Sequence, residues 1–265
     1  MTTLPTIGGE DQQLAELRNG LFTSDLSVDE FILLRQNGFS AKGMVVGSSI
    51  YHVGLQMMRW SESTEIGTLT AAMHEARELA LTRMLQEAAS IGADGVVGVD
   101  LTLQMYEGGQ GVLEFVAIGT AITYDDAPGT LVLSNKAPFS SHLSGQDFVK
   151  LWKSGYIPTH FSFGVCVYHV AHASLRATMK QAGANVEMPL YTQAVYTARE
   201  LAMERLQAEA TSWQATGIVG TSIQVHNHVW GEHAIEFLAL GTGIRPHGLN
   251  VAALTPPSPV LSMDK

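Results

Sequence analysis

The stretch "SIQVHNHVWGEHAIEF", Ser222 to Phe237, places His226, His228 and His233 within eight residues. Imidazole is the commonest metal ligand among side chains. On a strand, His226 and His228 share a face, with their Cα atoms about 7 Å apart. A two-residue turn at Gly231-Glu232 would set Trp230 opposite His233 and bring His233 diagonally beside His228. Three imidazoles with an open fourth position suit a divalent metal such as zinc. Glu232 or Glu236 could assist, although strand alternation puts Glu236 on the face opposite His233. A metal-dependent enzyme using this hairpin is one function class such a site would permit.

Other residues offer weaker chemistry. Glu114 and Glu236 each stand mid-strand beside a phenylalanine, and a buried carboxylate needs a partner. Arg77 and Arg199 are the candidates, as assembly ion pairs across a helix–sheet or subunit boundary. Asp94 and Asp100 bracket "GVVGV"; Asp94 is expected to cap the turn into that strand, and the pair is a sparse ligand set for a hard cation. His169 and His172 lie in "YHVAH", and His52 stands in an equivalent "YHV"; a structural role is the simpler reading. Cys166 is the single cysteine, which excludes an internal disulfide and a Cys-rich zinc site. It reads as a small buried apolar residue, because His169, three residues on, falls on the opposite face of a strand. No G-x-S-x-G, phosphate loop or H-E-x-x-H occurs, and the glycines at Gly92, Gly95 and Gly98 do not stand between a strand and a helix as a dinucleotide fingerprint demands. The expected role is therefore non-enzymatic.

Composition narrows the partners. The 265 residues are 46% apolar and 15% charged, enough for a sizeable core. A formal charge of −10 with no basic stripe argues against nucleic acid and against anionic membrane surfaces. The N-terminal residues show no basic n-region or apolar h-region, and no apolar run reaches membrane-spanning length, so a cytoplasmic protein is expected.

The positions of these residues are set by an internal repeat. "YHV" recurs at an offset of 117 (Tyr51 and Tyr168), with Ser27/Ser144, Phe31/Phe148 and Gly38/Gly155 in step. "ARELA" recurs at an offset of 122 (Ala76 and Ala198), with Arg83/Arg205, "GVVG"/"GIVG" and "EFVAIGT"/"EFLALGT" in step. The change in offset is a five-residue insertion in the second copy. At the second offset the three histidines align with Gln104, Tyr106 and Gly111, so the first hairpin has no counterpart of this ligand set.

Each copy reads as a short helix with serine at its N-cap, a β-branched strand, an irregular segment, a long helix and a two-stranded hairpin. The long helices are expected near Leu69–Ser90 and Tyr191–Trp213 from apolar residues at three- and four-residue spacing. The expected organisation is an N-terminal extension over 1–26, a first repeat over 27–124, a linker over 125–143, a second repeat over 144–246 and a disordered Pro-rich tail over 247–265. The "LVL" of the linker could add an edge strand.

An Ala-Arg-Glu helix followed by "GADGVVGVDL" (Gly92–Leu101) and the strand end "GTAI" (Gly119–Ile122) resembles the YbjQ-like family, whose label is "putative heavy-metal-binding". The second copy keeps the frame but has Thr216 and Ser222 in place of Asp94 and Asp100. The resemblance implies an α+β fold of two tandem dodecin-like β-α-β-β repeats and self-association into a ring, pentamers being characteristic of the family. Residue patterns point the same way, since a small sheet with one main helix leaves strand edges open. The expectation is a ring-forming protein of unknown biochemical role, binding a metal or small ligand, or else an oligomeric scaffold for a protein partner.

Overall fold

The computed structural model describes residues 22–52, 63–105, 112–170, 189–227 and 234–249. The first repeat contains α1 (Val28–Gln36), β1 (Phe39–His52), β2 (Thr64–Glu65), α2 (Gly67–Ser90), β3 (Gly95–Met105) and β4 (Val112–Tyr124). After β5 (Phe139–Ser140) the second repeat follows with α3 (Gly145–Lys153), β6 (Tyr156–His169), α4 (Pro189–Ser212), β7 (Gly217–Asn227) and β8 (Ala234–Pro246). The fold is α+β, with the β-α-β-β plan present twice.

Local sequence accounts for the punctuation. Ser27 accepts a hydrogen bond from Glu30 N while Glu30 accepts from Ser27 N, a capping box. Ser144 accepts from Asp147 N at the matching helix. Gly38 and Gly155 follow those helices at φ +79° and +88°, a conformation that favours glycine. Gly47 on β1 and Gly164 on β6 serve another need. A Cβ at Gly47 would collide with the Ala80 carbonyl oxygen of α2, and one at Gly164 with the Ala202 carbonyl oxygen of α4. Each long helix thus lies in direct backbone contact with its own sheet.

The two sheets run β1-β4-β3-β5 and β2-β6-β8-β7. The outer strands exchange: β2 of the first repeat pairs antiparallel with β6 of the second, Thr64 opposite His169. Conversely β5, which leads into the second repeat, pairs parallel with β3 of the first, Gly95 opposite Phe139. The edge strand in the linker is therefore Phe139–Ser140 rather than "LVL". Leu131 and Leu133 instead bury in a cluster with Phe39, Phe139, Phe148 and Trp152. Helix α2 is sandwiched between the sheets. Its core joins Val45, Phe115 and Ala117 of the first sheet to Phe161, Phe163, Val165, Val167 and Leu238 of the second. Helix α4 covers the other face of the second sheet, packing Ala198, Ala202 and Leu206 against Cys166, Phe237 and Ala239.

Candidate functional site

The junction between the repeats gathers the titratable groups. On its α2–β8 side, Arg77 Nη2 donates to Glu236 Oε1 at 2.6 Å, both side chains almost fully buried. The Arg77 guanidinium also lies 5.1 Å over the Phe115 ring. His226 Nδ1 sits 3.7 Å from Glu236 Oε2. A cavity of about 440 Å³ opens beside the pair, with Asp100 and Thr102 from β3 and Gln224 and His226 from β7 on its walls.

The predicted site residues are distributed unevenly. His228 and His233 lie outside the described residues, as does His172. His226 is opposite Glu236 on β8. That is one residue away from the register a two-residue Gly231-Glu232 turn dictates, and a one-residue slip exchanges faces. Glu236 consequently shares the face of His226. Arg199 is exposed, its guanidinium 5.0 Å over the Tyr196 ring, and Glu114 is half-buried on β4; no ion pair joins those two among the described residues. Asp94 is fully buried and accepts from Tyr124 N and Leu131 N, so it ties β4 and the linker to the start of β3. Asp100 is exposed on the cavity wall. Cys166 is fully buried, and burial pushes its thiol up to about 12.

A second cluster was not anticipated from the sequence. Glu78 of α2, His160 of β6 and Glu209 of α4 offer one ligand atom each within 4.8 Å of one another. The His160 ring stacks on Trp213 at 4.2 Å, 14° from parallel, and its Nδ1 bonds Ser140 Oγ at 3.3 Å. These two contacts aim Nε2 at the carboxylates, and Glu209 Oε1 lies 3.5 Å from it. The other Glu209 oxygen accepts from Phe163 N at 2.9 Å. Glu78 Oε2, His160 Nε2 and Glu209 Oε1 are buried with no hydrogen-bond partner. Burial pushes Glu209 up to about 7, burial raises Glu78 with the Glu209 charge adding to it, and burial lowers His160 to about 4. The repeat frame held one clue. Glu87 accepts from Val46 N as Glu209 does from Phe163 N, but the position of His160 is glycine, Gly43, in the first copy.

The edges of β1 and β6 are built alike up to a point. Arg83 Nη1 donates to the Ser48 carbonyl, and Arg205 Nη1 donates to the Val165 carbonyl at 2.6 Å. Among the described residues, only β6 is then completed by the other repeat. Glu65 accepts from Arg205 at 2.9 Å, Thr70 Oγ1 accepts from Val167 N at 3.0 Å, and Ile66 N donates to Val167 O at 2.8 Å.

Comparison with known proteins follows this division. The family model described as YbjQ, "Putative heavy-metal-binding", matches residues 26–125 and 168–246. An encapsulin nanocompartment protein of Mycobacterium tuberculosis is 46% identical over 243 residues, covering 92% of each chain. A UPF0145 protein of Vibrio campbellii is 38% identical over 86 residues, 31% of this chain and 81% of that one. A UPF0145 protein of Clostridium perfringens is 34% identical over 91 residues, 32% of this chain and 84% of that one.

Proposed function

The chain belongs to the YbjQ-like family, with its domain in tandem, and from that premise we propose that it is a non-enzymatic, self-assembling protein in which the junction between its repeats is reproduced between neighbouring chains. One observation carries the reading: the same surface is covered in one repeat and bare in the other. On β6, Phe161, Phe163 and Val167 are 1%, 0% and 0% exposed beneath α2. Their counterparts on β1 at the 117-residue offset, Met44, Val46 and Ile50, are 38%, 39% and 56% exposed. Their cover would come from α4. His74 of α2 packs its ring 5.0 Å from Phe163; its counterpart on α4 at the 122-residue offset, Tyr196, is 52% exposed.

The polar groups match in the same way. Arg199 is the counterpart of Arg77 and Glu114 of Glu236, so the ion pair closed within the chain has two open halves at opposite ends. Arg83 holds the β1 carbonyl as Arg205 holds that of β6, and the counterpart of Glu65 is Glu187, which lies outside the described residues. Phe22, the counterpart of Phe139, is 39% exposed and stands where a neighbour's β7 edge could receive it. Burying each exposed apolar side chain would contribute on the order of 1 kcal/mol, and the strand edges would be paired rather than left as templates for aggregation.

Such a contact is heterologous, joining one face of a chain to a different face of the next, and it closes into a ring when the rotation permits. A ring of two-repeat chains contains an even number of repeats. Five chains satisfy this; a ring of five repeats does not. The single-repeat span of the UPF0145 relatives fits a domain that associates through this one interface. The name of the mycobacterial relative supports a setting for the assembly in or with a protein nanocompartment, a role as a partner of a shell rather than as a catalyst. Light scattering on the full chain tests the assembly. Wild type is expected to exceed the mass of one chain, and Ile50→Glu with Val46→Glu to return it to one chain without unfolding it. A wild type that is a single chain at every concentration would overturn the proposal. Co-purification of this chain with a co-expressed encapsulin shell tests the setting separately.

A further inference from the structure

We infer that Glu78, His160 and Glu209 form a binding site for one borderline divalent cation of the zinc class per chain, buried where the two repeats meet. The case rests on geometry. Three donor atoms from three separate elements converge within 4.8 Å, and two of those elements belong to the second repeat while the third, α2, belongs to the first. His160 is 1% exposed and its Nε2 has no hydrogen-bond partner; its ring is fixed by Ser140 on one side and Trp213 on the other. Metal-binding histidines are held in this manner, with the remote nitrogen bonded so that the other points at the ion. Glu209 is fixed likewise, one oxygen on the Phe163 amide and the other turned to the cluster.

Two buried carboxylates facing each other repel, and burying either as an anion without a partner is costly. A divalent ion would satisfy all three orphaned atoms at once. The donor set selects the ion class. One imidazole and two carboxylates suit zinc, and after it ferrous iron or manganese. The set has no thiolate, so a sulfur-seeking ion such as Cu(I) fits poorly, and it has too few oxygens for calcium. The family's heavy-metal description is therefore met here by a hard-to-borderline site. The site would occur once per chain, since the glycine at position 43 withholds the imidazole from the counterpart arrangement of Glu87 and Glu200. It would also pin α2 of the first repeat to β6 and α4 of the second, independently of whether chains assemble.

The test is calorimetric titration of Zn²⁺ alone, then Mn²⁺ alone, into full-length chain prepared without a histidine tag and stripped with chelator. Wild type is expected to bind one Zn²⁺ per chain. Glu209→Gln, whose amide oxygen can still accept from Phe163 N, and His160→Asn are each expected to bind at least about tenfold more weakly. Glu200→Gln and His226→Ala should bind as wild type. If His160→Asn does not fold by circular dichroism, Glu78→Gln replaces it under the same expectation. X-ray absorption of the zinc-loaded chain should show nitrogen and oxygen neighbours and no sulfur. Absence of stoichiometric binding by folded wild type, binding unchanged in both Glu209→Gln and a second folded ligand variant, or binding abolished by His226→Ala would overturn the inference.

Discussion

Replacing Arg77 with methionine should be among the most damaging single changes in this chain, and replacing Arg199 among the mildest. The two arginines occupy the same place in the repeat. Arg77 is 1% exposed and its ion pair with Glu236 is 2.6 Å long between side chains that are 2% and 0% exposed. Arg77→Met retains an unbranched apolar stem but leaves the Glu236 carboxylate buried without its guanidinium partner. Breaking one partner of a buried pair costs about 3–5 kcal/mol. For a chain of this size that corresponds to roughly a 10 °C fall in Tm. Removing both charges with Arg77→Met and Glu236→Met should recover most of the loss, to within about 1 kcal/mol of wild type, because no uncompensated charge remains. Arg199 is exposed, so Arg199→Met should stay within about 0.5 kcal/mol in the isolated chain. The assay is urea unfolding followed by circular dichroism, run at a chain concentration low enough that assembly adds nothing by mass action. A cost below about 1 kcal/mol for Arg77→Met, or a double variant no more stable than the single, would refute the reasoning about the buried pair.

Three further outcomes are expected. Gly164→Ala should destabilise the second repeat by about 1–3 kcal/mol, read as a lower urea midpoint, because the new Cβ meets the Ala202 carbonyl across the helix–sheet contact. Cys166 should resist iodoacetamide in the native chain at neutral pH and react only after unfolding, as mass spectrometry would show, since its thiol is buried and pushed up to about 12. Burial raises the Glu65 carboxyl, but its bonds to Arg205 and Thr70 and the Arg205 charge together outweigh this and hold it below the ordinary carboxylate range. The stabilisation Glu65 brings is thus present above the unfolded carboxylate value, near 4.3, and fades as pH falls through the lower folded value. Acid titration of wild type against Glu65→Gln should show the stability gap closing only below about pH 4.

The repeat, its caps and its long helices were legible because they rest on local signals: "YHV" and "ARELA" in register, Ser27 and Ser144 before their helices, and Gly38 and Gly155 in step after them. The outer strands were not. Thr64–Glu65 and Phe139–Ser140 are two residues each, too short for any periodicity, and they form only because the opposite repeat offers an edge. The hairpin register was misread by one residue, which reversed the side on which Glu236 was expected to face the histidines. Glu78, His160 and Glu209 are far apart in sequence, and although Glu78 is the glutamate of "ARELA", His160 and Glu209 belong to no short motif; only packing of α2 against the second sheet unites the three. Comparing the two copies position by position marks His160 as an asymmetry, and the same comparison turns Met44, Val46 and Ile50 from unremarkable apolar residues into an unfinished interface.

The central claim is that the junction within the chain is also the junction between chains, and a charge exchange tests it most directly. Native mass spectrometry would be run on wild type, Arg199→Glu, Glu114→Arg and the double variant. The account predicts a multi-chain wild type, disrupted assembly in each single variant and restored assembly when the two charges are exchanged together. A double variant that remains as disrupted as the singles, or single variants that assemble as wild type does, would contradict it.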